Sequence, residues 1–238
     1  MKIFTWNVLH RVHAERHSEP AIARWPDEQV RVAGIAALLA RTMTVEGFDV
    51  ALLQEVSGDV LAALRAALGA PAVLNHLYPR VPRAKSDSLR DATEHLVVIA
   101  PRGAKLVRGH TFANDPGKGF LEVALSDGTT VVSTHLSWGA NGTTQLEQLA
   151  QVLREAKGAL CVGGDFNAPR ELIAKTLAVE VGLIPEGSAR TRPQEGGGQD
   201  IDHLLCTGAT LRGVRVLEHG ELSDHRPVAA TLTAARDR

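Results

Sequence analysis

The sequence predicts a mixed α/β fold in which two β-sheets pack face to face and helices cover their outer sides. Three observations predict it. Strand-like apolar runs outnumber helical ones. Both tight hairpin signals and longer crossover segments connect them. One run, Phe48 to Val56, is nearly continuous, as a strand buried on both faces requires. The 238 residues, 44% hydrophobic and 22% charged, suffice for one globular domain spanning residues 1–238 with a sizeable core. No repeat, low-complexity block or linker divides them.

Ile3 to Leu9 reads as a first strand ending in polar groups, and His10 to Pro26 as irregular and polar. Asp27 caps a helix to about Arg41, with Val30, Ile35, Leu38 and Leu39 as its apolar faces. Ser57 caps the next helix, where Val60, Leu61, Leu64 and Leu68 recur at helical spacing. Pro79 to Glu94 is a polar loop carrying Arg80, Arg83, Lys85 and Arg90, and Leu96 to Ala100 is a short strand. Ser126-Asp127-Gly128-Thr129 joins the strands Leu121–Leu125 and Thr130–Leu136 as a hairpin, because Asp-Gly suits a turn needing positive φ. Thr144-x-x-Glu147 reads as a capping box opening a helix through Leu146, Leu149, Leu153 and Ala156. Ala159 to Val162 is a buried strand, and Pro169 opens a helix that Gly182 ends. A Gly-rich loop, Pro193 to Gln199, precedes strands at Ile201–Cys206, Leu211–Leu217 and Val228–Leu232.

A net charge of −1 argues against a broadly basic nucleic-acid-binding surface, so any polyanion must be met by a local patch. Cys161 and Cys206 lie in apolar runs without metal-ligand spacing and read as buried reduced thiols. No apolar run reaches the roughly 18 residues of a membrane span. Met1-Lys2-Ile3-Phe4-Thr5-Trp6 enters a strand pattern directly, with no signal-peptide h-region, which points to a cytoplasmic protein. A monomer is the expected state.

Four polar clusters end apolar runs, Thr5-Trp6-Asn7, Gln54-Glu55, Thr134-His135-Leu136 and Gly163-Gly164-Asp165-Phe166-Asn167; Asp200-Ile201-Asp202-His203 follows them, and Ser223-Asp224-His225 precedes the last strand. Carboxylates, amides and imidazoles repeated at strand ends suggest one convergent site. Glu55 and Asp224 suit a hard divalent cation, with Asn7 as a neutral oxygen donor beside them. A carboxylate ending a doubly buried strand is costly without a partner, which sets Glu55 apart from a mere helix cap. Asp202 suits a carboxylate that orients His225 and favours its protonated form. His135 fits either a second imidazole of the site or a hydrogen-bonded core histidine. Asp165 can orient water and Asn167 can donate to a phosphoryl oxygen; an Asx turn into the Pro169 helix explains either residue without requiring both. Gly163 and Gly164 are read as a sharp turn. His10, His13 and His17 lack a cysteine partner and read as a solvated loop at the mouth of the site. Trp6 is expected beneath the site, and Trp138 at its rim or in the core.

Thr-Trp-Asn-Val, Leu-Gln-Glu-Val, Ser-Thr-His-Leu, Gly-Asp-Phe-Asn-Ala-Pro, Ile-Asp-His-Leu-Leu and Ser-Asp-His-Arg-Pro-Val resemble, in order, the motifs of the endonuclease/exonuclease/phosphatase superfamily. The resemblance implies a DNase I-like, four-layer α/β/β/α sandwich and Mg2+- or Mn2+-dependent phosphoester hydrolysis by activated water. It implies metal binding by Glu55, Asn7 and Asp224. It implies catalytic roles for Asp165, Asn167, His225, Asp202 and His135. Members often carry Gly-Asn where this chain has Glu94-His95, so Glu94 and His95 are candidate phosphate contacts or supports for His135; Arg190 is a further candidate for substrate phosphate. The expected partner is a phosphorylated substrate, with DNA, RNA or a nucleotide first. An inositol phosphate, sphingomyelin or sugar phosphate is the alternative, and an inactive binding module the last.

Overall fold

The computed structural model describes residues 1–83, 87–194 and 197–234. In chain order the elements are β1 (Lys2–Asn7), α1 (Arg11–His17), α2 (Pro20–Arg24), α3 (Glu28–Thr44), β2 (Val50–Ser57), α4 (Gly58–Leu68), β3 (Val73–Leu77), β4 (Glu94–Ile99), β5 (Lys105–Thr111), β6 (Gly119–Ala124), β7 (Thr130–His135), α5 (Gly139–Glu155), β8 (Leu160–Asp165), α6 (Arg170–Leu177), β9 (Glu180–Val181), β10 (Arg192–Gln194), β11 (Gly197–Gln199), β12 (Asp202–Thr207), β13 (Ala209–Val216) and β14 (Val228–Ala234). Two six-stranded sheets form, in the orders β13-β14-β1-β2-β4-β3 and β5-β6-β7-β8-β12-β9. A small β10-β11 ribbon stands apart from both.

Four layers follow from how the strands alternate. Ile3, Val50, Leu52, Leu96 and Val98 on one sheet meet Leu121, Val131, Cys161 and Leu204 on the other, making the central core. The opposite faces carry Phe4, Trp6, Leu53 and Val97 under α3 and α4, and Val132, Val162 and Leu205 under α5 and α6. Strands buried on both faces explain the nearly unbroken apolar run of β2. Each fully buried aliphatic side chain contributes roughly 1.5–3 kcal/mol. Cys161 and Cys206 face each other across β8 and β12 as free, buried thiols.

Several local readings hold. Asp27 accepts from the Gln29 and Val30 N–H groups, and Ser57 from Val60 N–H, opening α3 and α4. Gly128, at φ +85°, turns the β6–β7 hairpin. Others need correction. Val30 is 53% exposed, because α3 turns Val32, Ile35, Ala36 and Leu39 inward instead. The segment after β1 forms α1 and α2, started by the His10 side chain accepting from Val12 N–H and by Pro20 in the first turn. Helix α5 begins at Gly139, so Thr144 lies inside it and its hydroxyl donates back to the Ala140 carbonyl. Helix α6 ends at Ala178, in the left-handed region, before Gly182. Gly163 and Gly164 do not make a turn; they lie in β8, where a Cβ would sit 1.9 Å from the Thr134 carbonyl oxygen or 2.7 Å from Leu52. The Gly-rich segment carries β10 and β11. Strands β3 and β5 went unread because neither alternates in the expected way; β5 is exposed along nearly its whole length. Lys85 and Gly196 lie outside the described residues.

Candidate active site

Strand register brings the polar clusters together. Asn7 pairs with Gln54 across β1 and β2, His135 with Asp165 across β7 and β8, and Asp202 with Asp165 across β12 and β8. These strand ends open into one cleft of about 310 Å³. Glu55, His135, Asp165, Asn167, Asp224 and His225 line it. Glu55 reaches the cleft through a local irregularity: β2 carries one extra residue against β4 between Leu53 and Val56, and Glu55 sits at φ +56°. The bulge aims Glu55 outward. Gln54 goes inward, donating to Thr5 Oγ1 and Ser133 Oγ at 3.1 Å each.

Asn7 ties two carboxylates together. Its Nδ2 donates to Glu55 Oε1 and to Asp165 Oδ2, both at 3.1 Å, while its Oδ1 accepts from Leu9 N–H. Glu55 Oε2 accepts from His10 N–H at 3.0 Å. Burial opposes charge on Glu55, but His13, His135, Lys118 and that N–H outweigh it and hold its pKa well below the usual range. Asp165 behaves alike: burial opposes its charge, and His225 with His135 keeps it ionised, its pKa far below normal. His135 Nε2 stands 3.4 Å and His225 Nε2 3.8 Å from Asp165 Oδ2. Asp165 Oδ1 accepts from Asn167 N–H at 3.0 Å, which fixes Asn167 at φ +49°. Asn167 Nδ2 also donates to the Leu136 carbonyl at 2.7 Å.

His225 is held from behind. Its Nδ1 lies 2.8 Å from Asp202 Oδ2, and the two side chains are 4% and 0% exposed. Burial disfavours the imidazolium, but Asp202, Asp224 and Asp165 together raise its pKa to about 10. The His225 N–H donates to Ser223 Oγ, which donates to the Asn7 carbonyl. Trp6 lies beneath, its indole N–H donating to the His225 carbonyl at 3.0 Å. Arg31, buried against Glu28, donates to the Val8, Leu9 and Leu222 carbonyls, so one guanidinium joins the segment after Asn7 to the segment before Asp224.

Cations ring the carboxylates. Lys118 Nζ contacts His135 Nε2, and Arg192 Nη2 lies 3.3 Å from Asp224 Oδ2 and 3.2 Å from Glu19 Oε1. Arg80 lines the same cleft. The candidates Glu94, His95 and Arg190 are placed differently. Glu94 is buried beside the cleft, 3.1 Å from His13 Nε2 and 3.6 Å from Arg80. His95, the next residue of β4, points to the other side and bonds Asn75 and Thr93. Arg190 pairs with Asp200 and lines a separate cleft with His203. Lys118 is the residue sequence reading missed outright; only the pairing of Gly119 with His135 brings it into the site. His13, read as part of a solvated loop, and Arg192 also stand in the cleft.

The donor set fits a hard divalent cation: Glu55 and Asp165 are ionised and oxygen-bearing, and Asp224 faces the same space. Asp165, Asp202 and His225 bring ligand atoms within 4.8 Å of one another, although Asp202 is already engaged by His225. Among the described residues, no helix is long and apolar enough to cross a membrane.

Comparison with known proteins places the fold and the family. A curated UPF0294 protein of Vibrio campbellii is 34% identical over 124 residues, 48% of this chain and 44% of that protein, so the match spans under half its length. D. rerio TDP2 complexed with single-strand DNA product has a TM-score of 0.68 at 16% identity, covering 98% of this chain and 99% of that one. The human Nocturnin catalytic domain with bound sulfate gives 0.64 at 17% identity, covering 99% and 93%. An endonuclease/exonuclease/phosphatase family protein of Bacteroides thetaiotaomicron gives 0.69 at 14%, covering 99% and 98%. The model of the Endonuclease/Exonuclease/phosphatase family matches residues 4–225. With this match across nearly its whole length, the chain belongs to the endonuclease/exonuclease/phosphatase family of phosphoester-hydrolysing enzymes.

Proposed function

We propose that this chain is a phosphodiesterase acting on nucleic acid or nucleotides, working as one domain with Mg2+ or Mn2+. The observation that carries the reading is the Asp165 carboxylate, kept ionised between two imidazoles and linked through Asn7 to Glu55. A divalent ion at Glu55 and Asp224, beside Asn7, would neutralise phosphate charge and stabilise the leaving oxygen. The residues do the rest. Asp165 accepts a hydrogen bond from the attacking water and takes its proton. His225, protonated and steadied by Asp202, donates from Nε2 to a phosphoryl oxygen. Asn167, with one amide hydrogen on Leu136, has a second to offer the same group. Lys118 and Arg192 add positive charge where phosphate oxygens would lie.

Trp138 lines the cleft and is half exposed, a surface on which a base can stack. That favours a nucleotide-bearing substrate. D. rerio TDP2, of the same fold, binds a single-strand DNA product, which is consistent with this choice. A net charge of −1 supports a second reading, a small phosphomonoester or lipid headgroup in the same cleft.

The test is a panel with Mg2+ or Mn2+: single strands, plasmid, mononucleotides, inositol phosphates and sphingomyelin. EDTA and Asp165→Asn serve as controls. Cleavage of single strands, abolished by both controls, supports the proposal. Turnover that survives both overturns the mechanism. Monoester turnover with strands intact replaces the first reading with the second.

A further inference from the structure

Three imidazoles with buried carboxylate partners or neighbours border the cleft, and two are fully committed. His225 gives Nδ1 to Asp202 and turns Nε2 toward Asp165 and Asp224. His135 Nε2 faces Lys118 and Asp165, and its Nδ1 is sealed in the interior. His13 differs. Its Nε2 lies 3.1 Å from Glu94 Oε2, and 17% of its side chain stays exposed where it lines the cleft. Among the described residues, Nδ1 of His13 has no hydrogen-bond partner and is not among the sealed polar atoms. Glu94 is fully buried, so a carboxylate stands behind His13 much as Asp202 stands behind His225. Helix α1 delivers His13 to this place, and the His10 cap and the buried ion pairs of Arg11 with Glu15 and Glu28 anchor that helix.

Resting on the phosphodiesterase reading above, we infer that His13 is the acid that protonates the leaving oxygen, with Glu94 as its positioning residue. Water attacks phosphorus and gives a proton to Asp165. The bond from phosphorus to the leaving oxygen breaks, its electron pair stays on that oxygen, and the Nδ1 proton of His13 goes to it. The products are an alcohol and a phosphomonoester. Asp165 then releases its proton to solvent and His13 regains one, both through the open side of the cleft. Glu94 Oε2 holds Nε2–H throughout, so the ring presents Nδ1 to the leaving group.

The test compares leaving groups. A dinucleoside monophosphate releases an alkoxide that needs a proton; a nucleotide p-nitrophenyl ester releases a phenolate that does not. His13→Gln should lower kcat on the dinucleotide about 10²-fold or more beyond its loss on the p-nitrophenyl ester. Glu94→Gln should move the same ratio in the same direction by less, and it supplies the answer should His13→Gln fail to fold. Equal losses on both esters, or no loss on either, overturn the inference while leaving the phosphodiesterase reading intact. A wild-type enzyme that cleaves neither ester with Mg2+ or Mn2+ overturns both.

Discussion

His225 Nδ1 sits 2.8 Å from Asp202 Oδ2, with Asp202 sealed from solvent and His225 exposed only where its ring meets the cleft. The bond fixes which ring nitrogen faces the cleft and balances a charge that burial alone would remove. In the metal-free protein the His225 imidazole should therefore stay protonated through neutral pH and titrate near 10. Asp202→Asn removes the leading favourable partner, so the titration should move downward. NMR of the labelled imidazole, wild type against variant in EDTA, checks the direction; an unmoved titration refutes it.

Glu55 is aimed by the β2 bulge and kept ionised by its surroundings. Glu55→Gln keeps the shape and removes the charge. It should raise the Mg2+ or Mn2+ concentration for half-maximal activity by about tenfold or more. The wild-type melt should shift upward with saturating metal, by about 2.7 kcal/mol at a hundred times Kd, and the variant's should shift far less. Activity and melting curves across a metal titration decide it.

Arg31 has no second role to hide behind. Its guanidinium joins Glu28 to three carbonyls that flank the site. Arg31→Met leaves the buried Glu28 carboxylate with Arg11 alone, 3.5 Å away, takes the donor from three carbonyls, and should cost about 3–5 kcal/mol. For a chain of this size that lowers Tm by about 10 °C or more. Glu28→Gln in the same molecule should recover part of the loss, since a buried charge left with one of its two partners is gone. Calorimetry on the single and double variants reads the cycle.

His95 is an acid-sensitive histidine away from the cleft. Burial lowers its pKa to about 4, against an ordinary value of 6.5, with Arg65 adding to the effect and Asp91 opposing it. A depressed histidine contributes stability above its unfolded pKa, and that contribution is lost as pH falls from about 6.5 toward 4. The ring is buried but keeps polar partners in Asn75 and Thr93, so the loss should be about 1–2 kcal/mol. His95→Gln should flatten that limb of the stability curve, measured by urea unfolding between pH 7 and 4.5.

Legibility followed the range of the interactions. Asp27 and Ser57 act on N–H groups two or three residues away, so their helices could be read directly. Gly128 likewise serves its own turn. Thr144 misled because a capping pattern was judged without its surroundings; Gly142 packs against the Ser137 carbonyl and lets α5 start earlier. Helix α1 has seven residues, too few to stand by propensity, and depends on Glu28 from another helix. The six clusters were visible because each lies in or beside a strand whose apolar residues mark it. Lys118 was not, since its place depends on pairing between β6 and β7. Arg190 and Arg192 look alike in sequence, yet one pairs with Asp200 outside the cleft and the other with Asp224 inside it.

Strand β1 lies between β2 and β14, and β14 is drawn from the far end of the chain. Ser223 and Trp6 bolt the two ends together beside the reacting centre. Asp165 closes a strand of one sheet and His225 leads into a strand of the other, so sliding the two sheets apart would dismantle the site without melting either sheet.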